Sequence, residues 1–248
     1  MKYDFSNKTI LITGGTGALG RNLLKSFLFQ NPKTIVVTYR NEKEMQDLKT
    51  DLFKTNDYSS ENVSTIIDFI KIDISKDNDI KKIISYISGK YGQIHILINV
   101  VGGYIGGKSI LEITDSEWDK MIDINLKTAF LISKNVIPVM VTNRYGKLVH
   151  ISSRSGIKAQ GKDAAYASSK AGLIRFIESV SEDVKDYNIN INCVLPTIID
   201  TEANRKAMPN ADYSRWVKPE DLSNVILFLC SDDSKIINGS AIPTYGLL

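Results

Sequence analysis

The chain has 248 residues, 43% of them hydrophobic and 24% charged, and its 31 basic side chains exceed its 28 acidic ones by three. This composition is ordinary for a soluble globular protein, and the length suits one α/β domain or two small ones. The small net charge, without a basic run, argues against a nucleic-acid-binding surface. The longest uncharged stretch, residues 91–107, contains five glycines and does not predict a membrane span. The chain runs almost directly into a first strand, which favours a cytoplasmic protein without a signal sequence.

Short β-branched runs alternate along the chain with longer helical patterns. The strand predictions cover residues 9–13, 34–38, 66–72, 94–98, 147–152, 189–195 and 241–245. The helix predictions cover residues 18–30, 42–55, 76–90, 115–143, 163–186 and 219–231. Continuous apolar strands that alternate with helices favour right-handed βαβ units around a parallel sheet. We therefore predict one domain over residues 1–248. Its fold would be a doubly wound Rossmann-type α/β fold, with a mostly parallel seven-stranded sheet and helices on both faces.

A glycine-rich segment at residues 13–20, Thr-Gly-Gly-Thr-Gly-Ala-Leu-Gly, follows the first predicted strand and opens the first predicted helix. Glycine permits a close approach of the backbone, so the N–H groups at the start of the helix are available to a pyrophosphate. Such a segment alone could be a plain tight turn. Its position directly after an N-terminal strand indicates a dinucleotide-binding loop.

The end of the second predicted strand distinguishes between two cofactors. An acidic residue there would bind the ribose 2′-OH of NAD, whereas an arginine accommodates the 2′-phosphate of NADP. Tyr39 occupies the place of the acid, Arg40 follows it, and no carboxylate occurs before Glu42. We therefore favour NADP(H) and leave NAD(H) possible, the alternative being that Arg40 only lies on a solvent-facing loop.

Tyr166 and Lys170 are four residues apart in a predicted helix, which places both side chains on one helical face. A free tyrosine titrates at about pH 10, too high for efficient acid–base catalysis at neutral pH. A neighbouring ammonium stabilises the phenolate, so we expect Lys170 to lower the pKa of Tyr166. This spacing also arises by chance on amphipathic helices. Ser153 at the end of an upstream apolar run and the glycine-rich loop make an enzyme the leading hypothesis.

Two cysteines and two histidines carry little functional signal. Cys193 and Cys230 lie in apolar periodic segments, where small buried residues are more common than disulfide partners. His95 and His150 lie within the fourth and fifth predicted strands, without a cluster of ligand-type residues around them in the sequence. We therefore predict structural roles for all four residues and no metal site.

In their order and spacing, these motifs resemble those of the classical short-chain dehydrogenase/reductase family over essentially all 248 residues. The resemblance implies a catalytic set of Asn125, Ser153, Tyr166 and Lys170. It implies that the cofactor-binding residues are Gly14, Thr16, Gly17, Ala18, Leu19, Gly20, Arg40, Asp73, Ile74, Asn99, Tyr166, Lys170, Pro196 and Thr201.

The chain departs from the family pattern at three places. Ala18 replaces the middle glycine of the cofactor loop. The usual Asn-Asn-Ala-Gly after the fourth strand is Asn99-Val-Val-Gly102 here, which keeps only its first and last members. The glycine that normally follows Pro196 is lost, although Thr201, the expected carboxamide contact, is retained.

The family mechanism that the resemblance implies suits the chemistry of these residues. The nicotinamide would deliver hydride to a carbonyl or an equivalent C=N group held near Tyr166, which would donate the proton. Lys170 would assist Tyr166 and contact the nicotinamide ribose, and Ser153 would donate a hydrogen bond to the developing oxyanion. Asn125 would support a water-linked proton relay through Lys170. Considered apart from Ser153, Tyr166 and Lys170, Asn125 would instead be interpreted as a polar residue that bends its helix and bonds to neighbouring backbone.

Substrate choice is predicted to lie in a loop at about residues 202–218, which is long enough to act as a lid. Met208, Tyr213 and Trp216 could supply apolar contacts there or could simply pack the loop. This segment and residues 101–104, Val-Gly-Gly-Tyr, resemble those of quinonoid dihydropteridine reductases. Those enzymes lack the serine that is present here as Ser153, and they generally favour NADH.

Three hypotheses follow for the function. The first is an NADPH-dependent reductase of ketones or 3-oxoacyl compounds, the second a pterin-type reductase, and the third a non-catalytic sensor that binds NADP. The complete catalytic set argues against the third. The helices predicted around residues 115–143 and 163–180 have apolar residues on more than one side, so we expect a homodimer or homotetramer. The only other expected partner is a small-molecule substrate, with neither nucleic acid nor membrane.

Overall fold

The computed structural model of the protein describes residues 2–54 and 65–247. Its strands are β1 (Thr9–Thr13), β2 (Thr34–Tyr39), β3 (Ile66–Lys71), β4 (Ile96–Asn99), β5 (Gly146–Ile151), β6 (Ile189–Pro196) and β7 (Ala241–Thr244). They form one seven-stranded sheet in the order β3-β2-β1-β4-β5-β6-β7. Every neighbouring pair is parallel. The predicted fold class and all the predicted strands are confirmed, and the sheet is wholly rather than mostly parallel.

The helices follow the predicted pattern, with one addition. They are α1 (Ala18–Leu28), α2 (Glu42–Lys54), α3 (Asp77–Tyr91), α4 (Asp115–Ile122), α5 (Thr128–Asn143), α6 (Ala164–Val184), α7 (Glu202–Ala207) and α8 (Pro219–Cys230). The last residue predicted for α2, residue 55, lies outside the described residues. Helix α7 and a 3₁₀ turn at Tyr213–Arg215 fall in the segment predicted to be a loop, so that prediction is wrong for part of residues 202–218.

The long helix predicted over residues 115–143 is interrupted by one wider turn. Residues Asp123–Lys127 form a π-helical turn between α4 and α5, with Asn125 inside it. Such turns insert a residue into the helix and often occur at functional sites. By length and composition alone, Asp115–Asn143 could also cross a membrane, although core helices of soluble proteins pass the same test. The expectation that no segment spans a membrane therefore stays a prediction.

The alternation of side chains along each strand produces a hydrophobic core on each face of the sheet. In β1, Ile10 and Ile12 pack with residues of α1 and α8, whereas Leu11 packs with residues of α3, α5 and α6. This is the period of two expected of a strand, here with both faces apolar. Cys193 and Cys230 are buried free thiols in these cores, as predicted.

The sheet order fixes where a ligand can bind. The chain adds β2 and β3 on one side of β1 and then returns to add β4 on the other side. Loops that leave the carboxyl ends of β1 and β4 therefore diverge, which opens a crevice at that edge of the sheet. The predicted site residues follow β1, β2, β3, β4, β5 and β6, all at this edge.

His150 of β5 is buried in a hydrogen-bonded chain beneath the crevice. Thr13 Oγ1 donates to Asn99 Oδ1 at 2.5 Å, so the amide of Asn99 is left to donate to His150 Nδ1 at 3.3 Å. His150 Nε2 then carries the proton and donates to Ser133 Oγ at 3.1 Å. Burial, together with the charge of Lys170, lowers the pKa of His150 from 6.5 to about 3. His150 is therefore structural, as predicted.

We expect His150 to make the protein sensitive to acid. The unfolded chain binds a proton at His150 below about pH 6.5 and the folded protein does not, so the free energy of unfolding falls as the pH drops. At about pH 4.5 the loss from this residue should be about 2–3 kcal/mol. Urea titrations at pH 7 and pH 4.5 test this, with His150→Gln as the non-titrating control. If the free energy of unfolding falls equally in both proteins between pH 7 and pH 4.5, the prediction is contradicted.

Candidate active site

A groove of about 2260 Å³ runs along the carboxyl edge of the sheet. Nine predicted cofactor-binding residues line it: Gly14, Thr16, Gly17, Ala18, Leu19, Arg40, Asp73, Ile74 and Thr201. Asn99 and Pro196 do not line the groove and are buried at the ends of β4 and β6. Tyr166 and Lys170 of α6, also predicted to bind the cofactor, do not line it either. Gly20 does not line the groove and packs against the backbone of Gly14 and Gly15.

The glycine-rich loop presents the N-terminus of α1 to the groove. Gly17 caps this helix without any side-chain hydrogen bond, and the first turn contains no acidic residue. Uncapped N–H groups and the helix dipole together favour an anion at this position. The loop must pass very close to α1, since a Cβ on Gly20 would lie 2.5 Å from the Gly14 carbonyl oxygen.

The far end of the groove contains both signs of charge. Arg40 is exposed and forms no ion pair with the residues that the structure describes. Nearby, Arg21 pairs with Asp51 at 3.2 Å and is therefore not a free cation. Glu44 accepts a hydrogen bond from Thr16 Oγ1 at 2.9 Å, which places a carboxylate beside the phosphate-binding loop. The groove is also lined by Glu44, Asp47 and Asp51, which were not predicted because exposed acids on a helix form no recognisable motif.

Tyr39 and Asp73 flank Arg40. The Tyr39 hydroxyl donates to Glu42 Oε2 at 3.2 Å, so the phenol that replaces the usual acid is itself paired with an acid. Asp73 accepts hydrogen bonds from the backbone N–H and hydroxyl of Ser75 at 3.0 and 2.8 Å. Burial opposes ionisation of Asp73, but these bonds and the charge of Arg40 hold its pKa below the usual value.

Asn125 holds the loop after β4 against the helices. Its side chain donates to the Gly103 carbonyl at 3.0 Å and accepts from the Gly103 N–H at 2.9 Å. The same amide donates to Ser169 Oγ of α6 at 3.1 Å. The π turn brings Asn125 into this position, where it is 1% exposed. Asn125 therefore binds backbone that is distant in sequence, not the neighbouring backbone of its own helix.

Lys170 is buried next to Gly102, a residue that lines the groove. Its ammonium donates to the Ile151 carbonyl at 2.8 Å and lies 5.7 Å from the centre of the Tyr166 ring. Burial lowers the pKa of Lys170 to about 8. A Cβ on Gly102 would lie 3.0 Å from Asn125 Oδ1 and 3.4 Å from Lys170 Nζ, which accounts for the glycine retained there.

Tyr166 and Ser153 complete the predicted set. Burial raises the pKa of Tyr166, as do the charges of Asp163 and Tyr104, while a hydrogen bond with Ser153 lowers it. The expectation that Lys170 lowers this pKa is wrong for the described protein. The ammonium is directed at a backbone carbonyl, and desolvation of the phenol dominates. Ser153 is buried, and its hydroxyl accepts from the Ser155 N–H at 3.2 Å.

The segment after β6 closes one side of the groove. Thr201 caps α7 by accepting from the Asn204 N–H at 3.2 Å, which fixes it at the rim of the groove. Trp216 is buried, and the centre of its ring lies 4.8 Å from the centre of the Tyr213 ring. These two aromatic side chains therefore pack the segment against itself. Downstream, Val217 bridges to Ile199, and Arg215 exchanges backbone and side-chain hydrogen bonds with Leu247.

Comparison with known proteins agrees with this geometry. A family model described as short chain dehydrogenase matches residues 8–212. The chain belongs to the short-chain dehydrogenase family. It is therefore an oxidoreductase that acts on CH–OH or C=O groups, and its family uses NAD(P). None of the four residues of the predicted catalytic set lines this groove, but Asn125 and Lys170 lie next to Gly102, which does, and Lys170 Nζ lies 5.7 Å from the centre of the Tyr166 ring.

Individual relatives differ in the substrates and cofactors that they are named for. The 3-oxoacyl-[acyl-carrier-protein] reductase FabG of Thermotoga maritima is 30% identical over 247 residues and is matched over 96% of each chain. The NAD-dependent glycerol dehydrogenase of Listeria innocua is 26% identical, and the match covers 96% of the present chain and 92% of the relative. The solved structure of ElxO with NADP bound has a TM-score of 0.86 at 25% identity, over 96% and 97% of the two chains.

The phosphate-binding loop generates a test with a matched control. Gly20→Ala should lower the free energy of unfolding by about 1–3 kcal/mol, because the new Cβ meets immobile backbone. Gly89→Ala in α3, where a Cβ would meet nothing within 4 Å, should raise it by about 0.5–1 kcal/mol through helix propensity. Denaturant titration of both variants measures the difference. If the free energy of unfolding changes with the same sign in both variants, the proposed steric role of Gly20 is refuted.

Proposed function

We propose that this short-chain dehydrogenase reduces ketones, including 3-oxoacyl compounds, with NADPH, and that Tyr166 is the general acid. The observation that carries the proposal is the convergence of Ser153, Tyr166 and Lys170: Ser153 is hydrogen-bonded to Tyr166, and Lys170 lies 5.7 Å from the Tyr166 ring and next to Gly102 of the groove. All three contribute polar atoms within a site that excludes most water. Catalysis by preorganised donors depends on such an environment.

The groove fits a dinucleotide on structural grounds. The uncapped start of α1 would bind the pyrophosphate, and Arg40 would bind the 2′-phosphate. Asp73 and Ile74 would contact the adenine, and Thr201 would contact the carboxamide. Asn99 and Pro196 are proposed as supports of these contacts, since both are buried. A similar fold bound to NADP, that of ElxO, supports this assignment.

When bound, the reduced nicotinamide supplies a hydride to the carbonyl carbon. Tyr166 donates its proton to the carbonyl oxygen, so that C=O becomes CH–OH. The Ser153 hydroxyl donates a hydrogen bond to the same oxygen as negative charge develops on it. Lys170 would hold the ribose, and its ammonium, which donates to the Ile151 carbonyl in the structure, would return a proton to the Tyr166 phenolate and regain one from water. The pKa of about 8 for Lys170 makes it able to exchange a proton near neutral pH.

A pterin-type reduction is the second candidate function. It is favoured by the position of Tyr104 beside Tyr166. Its ring is 65% exposed and meets the Tyr166 ring edge-on, with the ring centres 4.9 Å apart. An exposed aromatic ring beside the proton donor is suited to stacking on a flat heteroaromatic substrate. Quinonoid dihydropterin therefore belongs in the substrate panel beside 3-oxoacyl thioesters and simple ketones.

We also propose that the chain is one domain over residues 1–248, is cytoplasmic, and associates with copies of itself as a homodimer or homotetramer. Exposed aromatic residues on the helices predicted to form the interface support association. Trp118 and Phe130 are 39% and 42% exposed, and Phe130 contacts Phe176 with ring centres 6.3 Å apart. Sedimentation at micromolar concentration tests this directly.

Tyr166→Phe should lower kcat on the best substrate by about 10³-fold or more, because the proton donor is removed while the ring is kept. Binding of NADPH, measured by fluorescence titration, should change by less than about threefold. Wild-type rates in the variant would show that Tyr166 is not the general acid for that reaction.

Arg40→Ala should weaken NADPH binding by about 10–100-fold, since a charge-assisted contact with the 2′-phosphate is lost. Binding of NADH, which lacks that phosphate, should change little. The measurement is the dissociation constant of each nucleotide by fluorescence or calorimetry. Equal weakening of both nucleotides would overturn the preference for NADP(H).

A further inference from the structure

Asp163 is a buried carboxylate at the mouth of the active site that the proposed chemistry does not use. It is 9% exposed and occupies the N-cap position of α6, three residues before Tyr166. An aspartate at this position ordinarily accepts a hydrogen bond from the first turn of the helix. Asp163 makes no such bond, and only its backbone carbonyl accepts from the helix, from the Ala167 N–H at 2.8 Å.

One oxygen of this carboxylate has no partner. Asp163 Oδ1 is buried without a hydrogen bond from any described residue, and the carboxylate forms no ion pair within the described part of the chain. Among the described residues, Ser155 forms a side-chain hydrogen bond with the group, and burial raises the pKa of Asp163 despite it. A buried unpaired acceptor is costly, and a charged one more so. Such a group is expected to have a partner that binds from outside.

As the N-cap of α6, Asp163 lies one helical turn before Tyr166, on the same side of the helix. Its charge raises the pKa of both Tyr104 and Tyr166, although burial is the larger cause for each. These phenols come from the loop after β4 and from α6, and their rings are in edge-to-face contact. Asp163 therefore lies beside the place where a carbonyl would meet Tyr166.

The position of Asp163 is fixed by the backbone before it. The Lys162 carbonyl accepts from the Gly107 N–H at 2.8 Å, which ties the segment before α6 to the loop that carries Tyr104. Lys162 itself has a positive φ of 66°, a conformation uncommon for a side chain of this size. The two walls of the entrance are thus joined, and the carboxylate and the Tyr104 ring keep their relative positions.

We propose that Asp163 is a specificity-determining residue that binds a protonated amine on the substrate, whose carbonyl is held at Tyr166. A carboxylate with a free oxygen and an exposed aromatic ring are the two groups that attract an ammonium. The inference rests on the proposed function, because it names the substrate class of the same site: ketones that carry a cationic nitrogen close to the carbonyl. We do not include Lys162 or the exposed acids of the groove in this amine-binding subsite, because none of them has a buried polar atom without a hydrogen-bond partner.

Matched pairs of ketones test this directly. In each pair an N-methyl ammonium replaces a methyl-bearing carbon: 1-methyl-4-piperidone against 4-methylcyclohexanone, and 1-methyl-3-piperidone against 3-methylcyclohexanone. The nitrogen in the two amines lies at different distances from the carbonyl. With NADPH at pH 7, the wild-type protein should favour at least one amine over its neutral partner by about tenfold or more in kcat/KM.

Asp163→Asn keeps the shape of the side chain and removes its charge. It should raise the KM of the favoured amine by about tenfold or more and leave the neutral ketone within about threefold. Asp163→Ser provides a second variant if the first folds poorly, with circular dichroism as the check. Asp183→Asn, which removes an exposed carboxylate near the opposite end of α6, serves as the charge-matched control and should change neither ketone.

Other outcomes overturn the proposal. If kcat/KM in Asp163→Asn falls equally for the amine and for the neutral ketone, Asp163 acts only on Tyr166 or on the fold. No preference for either amine in the wild-type protein would mean that the carboxylate does not reach the substrate.

A failure of the proposed function gives a different result. If the wild-type protein reduces none of the four ketones, saturation-transfer NMR with 1-methylpiperidin-4-ol and 4-methylcyclohexanol still tests the inference without turnover. Binding of the amine that Asp163→Asn abolishes supports the inference, whereas equal binding of both alcohols, or of neither, overturns it.

Discussion

The reciprocal pair of hydrogen bonds between Asn125 and Gly103 is the constraint on which the site depends. It fixes the loop after β4 to the π turn, and a third bond from the same amide reaches α6 through Ser169. Three segments that are far apart in sequence thereby share one buried polar group. Because such a network is costly unless every member is satisfied, it specifies a single arrangement of the pocket.

Much of the fold was predictable because its signals are local. Apolar runs such as Ile10–Ile12 specify buried parallel strands, and the loop beside Gly20 follows from the steric freedom of glycine. Helix α7 was missed because its residues are mostly polar and its stability comes from the cap at Thr201. A short capped helix without an apolar face has no periodic pattern to detect.

The residues of the site were predictable, but their electrostatics were not. Spacing places Tyr166 and Lys170 on one helical face, yet it cannot show that the ammonium turns to the Ile151 carbonyl. Burial, which reverses the expected direction of the pKa of Tyr166, is a property of the assembled fold. Asp163 escaped notice for the same reason, since an aspartate before a helix normally indicates only a cap.

The bonds at the downstream end of the segment after β6 determine how the site can open. Val217 is bridged to Ile199, and Arg215 is tied to Leu247 near the end of the chain. Trp216 and Tyr213 pack between these points. Helix α7 is itself tied at both ends, because Arg205 forms a bidentate pair with Asp200 and the Tyr213 hydroxyl donates to the carbonyls of Arg205 and Pro209. Opening of the site would therefore require the whole segment to move as one unit, because the six helical residues are bonded to both of its ends.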